Sequence, residues 1–135
     1  MIAPPPEGMD TVQTPGSRIF VVDDDEVIAT SLTAILKISG FEAAAFQNPL
    51  DALNAARVEA PDLLISEVVM PELSGIELAL RFKEECPSCK VLLFSGQAAT
   101  ANLLQKARDQ GHDFTLLSKP IHPTDLLREI LRIME

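Results

Sequence analysis

Charged and hydroxyl side chains stand at the ends of several short apolar runs of the sequence. Acidic residues 23–26 follow one run, Glu67 closes a second, Ser95 closes a third, and Lys119 comes just after a fourth. Carboxylates are ligands that hard cations such as Mg²⁺ prefer, and a lysine ammonium is a compact charge for an anion. These residue types could therefore bind a cation and an anionic group at one site, if the fold brings them together.

The apolar runs alternate with segments of helical periodicity. Residues 19–22 are continuously apolar, as expected of a strand buried on both faces, and the next segment places Ile28, Leu32 and Leu36 on one side of a helix. The same reasoning predicts strands at 19–22, 42–46, 63–67, 91–95 and 114–117, and helices at 27–39, 49–58, 76–86, 100–110 and 123–134. Such alternation with short connections predicts a single α/β domain with a doubly wound parallel sheet.

The strand ends are where such a sheet places its functional groups. In open α/β sheets, ligands bind beyond the carboxyl ends of the strands, near the point where the strand order reverses. Asp23, Asp24, Glu67, Ser95 and Lys119 all stand at those ends. We therefore expect them to converge at one edge of the sheet.

Four motifs resemble the receiver domain of bacterial two-component response regulators, the CheY-like superfamily. They are VVDDDE at 21–26, EVVMPELSG at 67–75, LLFSG at 92–96 and LLSKP at 116–120, in the family's order and at the predicted strand ends. The resemblance covers residues 18–135. It implies a flavodoxin-like sheet with strand order 2-1-3-4-5 and a cis peptide bond between Lys119 and Pro120.

The resemblance also implies roles for the residues at the strand ends. It implies a Mg²⁺ site whose ligands are Asp23, Asp24, Glu67 and the backbone carbonyl of Val69. It further implies a phosphoryl-contacting hydroxyl at Ser95 and a charge-stabilising ammonium at Lys119. Mg²⁺ in such a site acts as template and Lewis acid when a carboxylate attacks a phosphoryl donor.

Two residues depart from the family's pattern. Glu67 stands where the family has the phosphorylated aspartate, and its extra methylene moves the carboxylate by about one C–C bond (~1.5 Å). A misplacement of that order can cost on the order of 10²-fold in a positioned reaction. Glu67 could instead reach Lys119 and Ser95 and fill space that a phosphoryl group takes. Leu116 stands where the family often has an aromatic residue that reports activation, so we do not expect the usual aromatic readout.

These departures leave three functions open. The first hypothesis is a stand-alone protein-interaction module, a pseudo-receiver in which Glu67 replaces phosphorylation. The second is a Mg²⁺-dependent acceptor of a phosphoryl group from a histidine kinase. The third is a decayed structural or dimerising domain in which Glu67 and Lys119 form only an ion pair. None of these is an enzyme, beyond the domain's own phosphorylation and dephosphorylation.

The expected partners are proteins: a histidine kinase, a phosphotransfer protein or a downstream effector. By resemblance, they would contact the face made by the fourth helix, fifth strand and fifth helix. The basic residues of that face are Lys106, Arg108, Arg128 and Arg132. We expect no output domain, because the last predicted helix ends near residue 134, and we expect a monomer or a weak homodimer.

Other reactive side chains have simpler interpretations. Asp25 and Glu26 are interpreted as residues that begin a helix, because carboxylates favour helix N-termini. Cys86 and Cys89 form a C-x-x-C at the end of a helix, where no helix N-terminus lowers a thiol pKa, so we predict a plain turn rather than a redox or metal site. Both histidines fall in predicted loops and are interpreted as surface residues: His112 and His122.

Composition limits the class of protein. The chain has 135 residues, a formal net charge of −9, 47% hydrophobic residues and no Trp or Tyr. This supports one packed domain, and it argues against direct nucleic-acid binding, which needs clustered basic or stacking side chains. There is no apolar stretch long enough for a membrane span and no secretory signal, so we expect a cytoplasmic protein. Residues 1–17, rich in Pro and Gly, are predicted to be a disordered leader ahead of the domain at 18–135.

Overall fold

The computed structural model describes residues 17–96 and 101–134, and within them strands and helices alternate as predicted. The strands are β1 (Arg18–Val22), β2 (Glu42–Phe46), β3 (Leu63–Glu67), β4 (Lys90–Ser95) and β5 (Thr115–Ser118). The helices are α1 (Glu26–Ile38), α2 (Pro49–Val58), α3 (Gly75–Glu85), α4 (Ala101–Asp109) and α5 (Pro123–Met134). Each predicted element is present, with its bounds shifted by one residue at most.

The strands form one parallel sheet in the order β2-β1-β3-β4-β5, which confirms the predicted fold. β3 pairs with β4 so that Glu67 lies beside Phe94, and β4 pairs with β5 so that Ser95 lies beside Ser118. The strands therefore end level with one another at the carboxyl edge. The Lys119–Pro120 peptide bond, just beyond that edge, is cis.

The helices cover both faces of the sheet. Ile19 and Val21 of β1 pack with residues of α1 and α5, whereas Phe20 and Val22 pack with residues of α2, α3 and α4. Successive side chains of a strand point to opposite faces, so one apolar run supplies both layers of the core. The residue that follows each run therefore has a predictable side of the sheet.

Local sequence defines where the helices begin and end. The Asp25 side chain accepts hydrogen bonds from two amides of the first turn of α1, at 2.9 and 3.3 Å, and the Asn48 side chain accepts one from the amide of Leu50 at the start of α2, at 2.8 Å. Gly40 follows α1 with a φ of 99°, a conformation that glycine adopts without steric cost. Within the described residues, no helix is long and apolar enough to cross a membrane.

The predicted leader lies outside the described residues, apart from Ser17. The carbonyl oxygen of Ser17 accepts a hydrogen bond from the amide of Glu42 at 2.9 Å. Ser17 is therefore already joined to β2, one residue before the predicted start of the domain.

Candidate functional site

Strand alternation brings two carboxylates and one ammonium to the same corner of the sheet. Asp23 follows Ile19 and Val21 at intervals of two, and Glu67 follows Leu63 and Ile65 in the same way. Those four apolar residues face α1 and α5, so the two carboxylates emerge on that side. Lys119 has the same spacing from Leu117, another residue of that face.

The ammonium of Lys119 lies between the two carboxylates. Its Nζ is 2.5 Å from Oε1 of Glu67 and 3.2 Å from Oδ2 of Asp23. Asp23 is 1% exposed and Glu67 5% exposed, whereas about a fifth of the Lys119 side chain reaches solvent. The Lys119 Nζ also lies 5.1 Å from the ring centroid of Phe94, within range of a cation–π contact. The pocket is thus a buried ion triad at the carboxyl edge of the sheet.

The second oxygen of each carboxylate is bound by backbone. Oε2 of Glu67 accepts hydrogen bonds from the amides of Val68 at 2.7 Å and Val69 at 3.1 Å. Oδ1 of Asp23 accepts from the amide of Asp25 at 2.9 Å. Glu67 therefore turns back on its own backbone and reaches Lys119 at the same time, a geometry that its longer side chain makes possible.

Burial and charge act against each other in this pocket. Burial, together with repulsion from the Glu67 carboxylate, raises the pKa of Asp23 and outweighs the opposite effects of the Asp25 amide and of Lys119. Burial also disfavours the charged form of Lys119, but hydrogen bonds to Glu67 and Asp23, with their attraction, prevail and raise the pKa of Lys119. Desolvation and the Asp23–Lys119 interaction therefore shift the pKa of each group in opposite directions, and the raised pKa of Lys119 favours its cationic form.

Gly75, the first residue of α3, packs directly against the strand end that carries Glu67. A Cβ placed on Gly75 would lie 2.0 Å from the carbonyl oxygen of Glu67 and 2.9 Å from its carbonyl carbon. The amide of Gly75 donates to the carbonyl oxygen of Val68 at 2.8 Å. Only a residue without a Cβ allows this approach, so Gly75 positions Glu67 through the backbone.

The other predicted site residues occupy different surroundings. Ser95 is buried at the end of β4, and its carbonyl oxygen accepts from the amide of Lys119 at 3.0 Å. Leu116 is partly buried and packs with the core on the opposite face of the sheet. Asp24 is exposed, and the Val69 side chain is about half exposed. Asp23, Glu67 and Lys119 are therefore in direct contact, whereas Asp24 stays outside the triad.

This arrangement does not fit a Mg²⁺ ion. Mg²⁺ takes near-octahedral oxygen ligands at about 2.0–2.1 Å. Among the residues that the structure describes, no three acidic, His or Cys side chains form a group that could hold a metal. Both oxygens of Asp23 and of Glu67 already accept from an amide or from Lys119. The structure thus lends no support to the predicted Mg²⁺ site at Asp23, Asp24, Glu67 and the carbonyl of Val69.

The remaining singled-out residues lie away from the triad. Cys86 and Cys89 are free thiols in the turn between α3 and β4, and burial raises the pKa of Cys89 to about 12. His112 stacks on the ring of Phe114, and the exposed His122 accepts from the amide of Thr124 at the start of α5. The four basic residues of the predicted partner face pair within the chain: Lys106 with Glu77, Arg108 with Asp113, Arg128 with Asp125, and Arg132 with Glu129.

Three contributors to the site have no side-chain signature in the sequence. The amides of Val68 and Val69 act as backbone donors, and Gly75 contributes because it has no Cβ that would clash with the carbonyl group of Glu67. The close spacing of Glu67 and Gly75 in EVVMPELSG, with Pro71 between them, was the available signal for a tight return of the chain.

Comparison with known proteins identifies the family. The model of the response regulator receiver domain matches residues 19–131, most of the chain. The chain belongs to this family. The receiver domain is 36% identical over 117 residues to the response regulator receiver protein CpdR of Brucella abortus, a match that covers 87% of this chain and 96% of CpdR.

One longer relative and two solved structures agree with this assignment. The receiver domain is 29% identical over 124 residues to the DNA-binding response regulator MtrA of Mycobacterium tuberculosis, which covers 90% of this chain and 51% of MtrA. The chain thus spans about half the length of that relative. A CheY-like receiver domain from Methanospirillum hungatei superposes with a TM-score of 0.80 at 28% identity, covering 88% and 94% of the two chains. A receiver domain of a Pseudomonas fluorescens HD domain-containing protein gives 0.81 at 27% identity, with the same coverage.

Proposed function

We propose that this receiver domain is a phosphorylation-independent protein-interaction module of two-component signalling. Glu67 holds the pocket in the state that other receivers reach by phosphorylation. The module works in the cytoplasm and turns over no substrate.

One observation carries the proposal: the carboxylate of Glu67 engages three convergent donors. The amides of Val68 and Val69 bind one oxygen and Lys119 binds the other. Convergent amides and an ammonium are the donor set that suits an oxyanion such as a phosphoryl group. Here the protein's own side chain supplies the anion, so the donors are satisfied without a covalent modification.

The charge that Glu67 supplies is smaller than that of a phosphoryl group. A carboxylate carries one negative charge against roughly 1.5 to 2 for a phosphate at neutral pH. Full conversion of a two-state domain from 1:99 to 99:1 takes about 5.5 kcal/mol of differential interaction. A partial shift takes less, so the contacts of Glu67 need to supply only part of that free energy to bias the domain.

The partners of the module are a histidine kinase, a phosphotransfer protein or a downstream effector. They dock on the face made by α4, β5 and α5, to which Lys106, Arg108, Arg128 and Arg132 belong. These side chains are paired with carboxylates at the surface, where ion pairs contribute little and exchange readily. The half-exposed Leu131 adds exposed apolar area to α5. The module acts as a monomer or a weak homodimer.

Phosphorylation by a small donor tests the proposal directly. The native chain, Glu67→Asp and Glu67→Gln are incubated with acetyl phosphate and Mg²⁺, and their intact masses are measured. We expect no phosphate-sized gain for the native chain or Glu67→Gln, and a gain for Glu67→Asp, whose shorter carboxylate leaves room for the group. A gain in the native chain that Glu67→Gln abolishes would identify a phosphoryl acceptor instead.

A second measurement distinguishes mimicry from an inert ion pair. Amide NMR spectra are compared for the native chain, Glu67→Gln, and Glu67→Asp with and without beryllofluoride and Mg²⁺. We expect beryllofluoride to move the β4, β5 and α5 signals of Glu67→Asp toward their native positions. Native signals that coincide with those of Glu67→Gln, and lie away from the beryllofluoride state, would show that Glu67 holds no activated state.

A further inference from the structure

The acidic pocket of this receiver domain already contains a cation of its own. We propose that Lys119 replaces Mg²⁺ as the counter-ion of Asp23 and Glu67, so that the pocket is closed to divalent cations while Lys119 and Glu67 are both present. The inference deepens the proposed function, since it rests on the same Glu67–Lys119 contact.

The position of the ammonium excludes a second cation. Its Nζ approaches Glu67 to 2.5 Å and Asp23 to 3.2 Å, so it faces one oxygen of each buried carboxylate. A Mg²⁺ ion bound to Oδ2 of Asp23 would need an oxygen contact of about 2 Å and would lie no more than about 5 Å from Nζ. Two cations in a buried pocket repel strongly, because little water screens them.

The remaining carboxylate oxygens accept hydrogen bonds from backbone amides. Oε2 of Glu67 accepts from two amides, and Oδ1 of Asp23 accepts from the amide of Asp25. A metal at Oε2 of Glu67 would have to displace a hydrogen bond to backbone, because that oxygen already accepts two, and a metal at Oδ1 of Asp23 would share the oxygen with the Asp25 amide. Asp24 is exposed and remains outside the triad.

Glu67 is the residue that keeps Lys119 in place. Its added methylene allows the carboxylate to hold the amides of Val68 and Val69 with one oxygen and Lys119 with the other. An aspartate at this position is one bond shorter, so we expect it to hold Lys119 less tightly. We therefore expect Glu67→Asp to loosen Lys119 and to open the pocket to Mg²⁺.

Thermal unfolding in the presence of Mg²⁺ tests the inference. Four chains are melted across a Mg²⁺ titration at constant ionic strength: native, Lys119→Met, Glu67→Asp and Lys106→Met. The last is the matched control, because it removes the same charge from an exposed lysine that pairs with Glu77. A ligand that binds only the folded state raises the unfolding midpoint in proportion to the logarithm of its excess over Kd.

We expect the midpoints of the native chain and Lys106→Met to stay unchanged up to about 10 mM Mg²⁺. Lys119→Met should melt lower without Mg²⁺, because it leaves two buried carboxylates without a counter-ion, and should recover as Mg²⁺ is added. Glu67→Asp should also respond to Mg²⁺. A native midpoint that rises with Mg²⁺ as much as that of Lys119→Met would overturn the proposal, and so would a folded Lys119→Met that ignores Mg²⁺.

An NMR titration covers the case in which Lys119→Met does not fold. The amides of Asp25, Val68 and Val69 in the native chain report on the carboxylate oxygens directly. We expect no saturable Mg²⁺-dependent shift at these amides in the native chain and a saturable one in Glu67→Asp. A saturable shift in the native chain would refute the closed pocket. It would leave the phosphorylation and beryllofluoride experiments intact, so the two proposals fail separately.

Discussion

At the scale of single residues, the pocket depends on the length of the Glu67 side chain. An aspartate would place its carboxylate about one C–C bond (~1.5 Å) closer to the backbone. The glutamate carboxylate instead binds Lys119 and two amides at distances of 2.5 to 3.1 Å. The consequence is a pocket in which the anion, its donors and its counter-ion all belong to the chain.

Asp23 provides a prediction on pH dependence. Because burial raises its pKa above the usual 3.8, the charged carboxylate costs stability at neutral pH. The stability associated with its neutral form is fully present below about pH 3.8 and is lost as the pH rises through the higher folded-state pKa. We expect Asp23→Asn to melt above the native chain at pH 7, with a difference that shrinks toward pH 3.8. A difference that is constant from pH 4 to 7 would contradict this assignment, and calorimetry at several pH values measures it.

Cys89 provides a second prediction at this scale. Burial raises the pKa of its thiol to about 12, and its Sγ lies 3.3 Å from the carbonyl oxygen of Lys90. The thiolate, which is the reactive form, is therefore scarce at physiological pH. We expect iodoacetamide to modify Cys86 but not Cys89 in the folded protein at pH 8, with the same yield under reducing and mildly oxidising conditions. Equal modification rates at both thiols, or yields that depend on the oxidant, would support a redox role for the C-x-x-C instead.

At the scale of elements, strand alternation and one glycine position the site. Asp23 and Glu67 emerge on the α1–α5 side because each continues the alternation of its strand. The start of α3 then closes against β3 at Gly75, so that the loop carrying Val68 and Val69 turns its amides toward Glu67. The pocket depends on this backbone contact as much as on the charged side chains.

A pair of glycine substitutions tests the contact between α3 and β3. Gly75→Ala would force a Cβ to within 2.0 Å of the Glu67 carbonyl oxygen. We expect a loss of about 1–3 kcal/mol in the free energy of unfolding, the usual cost of overpacking a well-packed core. Gly96→Ala is the control, since its Cβ would meet Lys119 at an ordinary 3.5 Å. Urea unfolding measures both, and equal losses at the two positions would argue against the backbone clash.

At the scale of the whole molecule, the core and the site are built from consecutive residues of the same strands. Apolar residues of β1, β3 and β4 are buried between two layers of helices, and the residues that follow them form the carboxyl edge. The core and pocket contacts given above all lie within the described residues, 17–96 and 101–134.

Removal of residues 1–16 tests whether the domain keeps its stability without them. We expect the shortened chain to keep its free energy of unfolding within about 0.5 kcal/mol, because every contact described from Ser17 onward remains. The control removes residues 1–20 and with them the buried Ile19 and Phe20. That chain should be much less stable, because β1 pairs with two neighbouring strands. A large loss on removing residues 1–16 alone would show that the leader packs on the domain.

The fold was predictable because its determinants are local and repeated. Runs such as residues 63–67 have the composition of buried parallel strands, and Asp25, Asn48 and Gly40 mark helix ends in the sequence. The membership of the site was predictable in part, since Asp23, Glu67 and Lys119 stand at strand ends. The exposure of Asp24 was not, because Asp24 is the second residue after the end of β1 at Val22, where alternation no longer fixes the direction of a side chain.

The sequence by itself determined the order of the elements, the strand ends that carry charge, and the presence of Glu67 at one of those ends. These follow from composition and spacing, which act over a few residues at a time. Only the tertiary structure decided which oxygen of Glu67 binds which donor. That depends on how α3 meets β3 at Gly75 and on where Lys119, 52 residues further along the chain, places its ammonium. Spacing along a chain specifies neither a close backbone contact nor a hydrogen-bond partner.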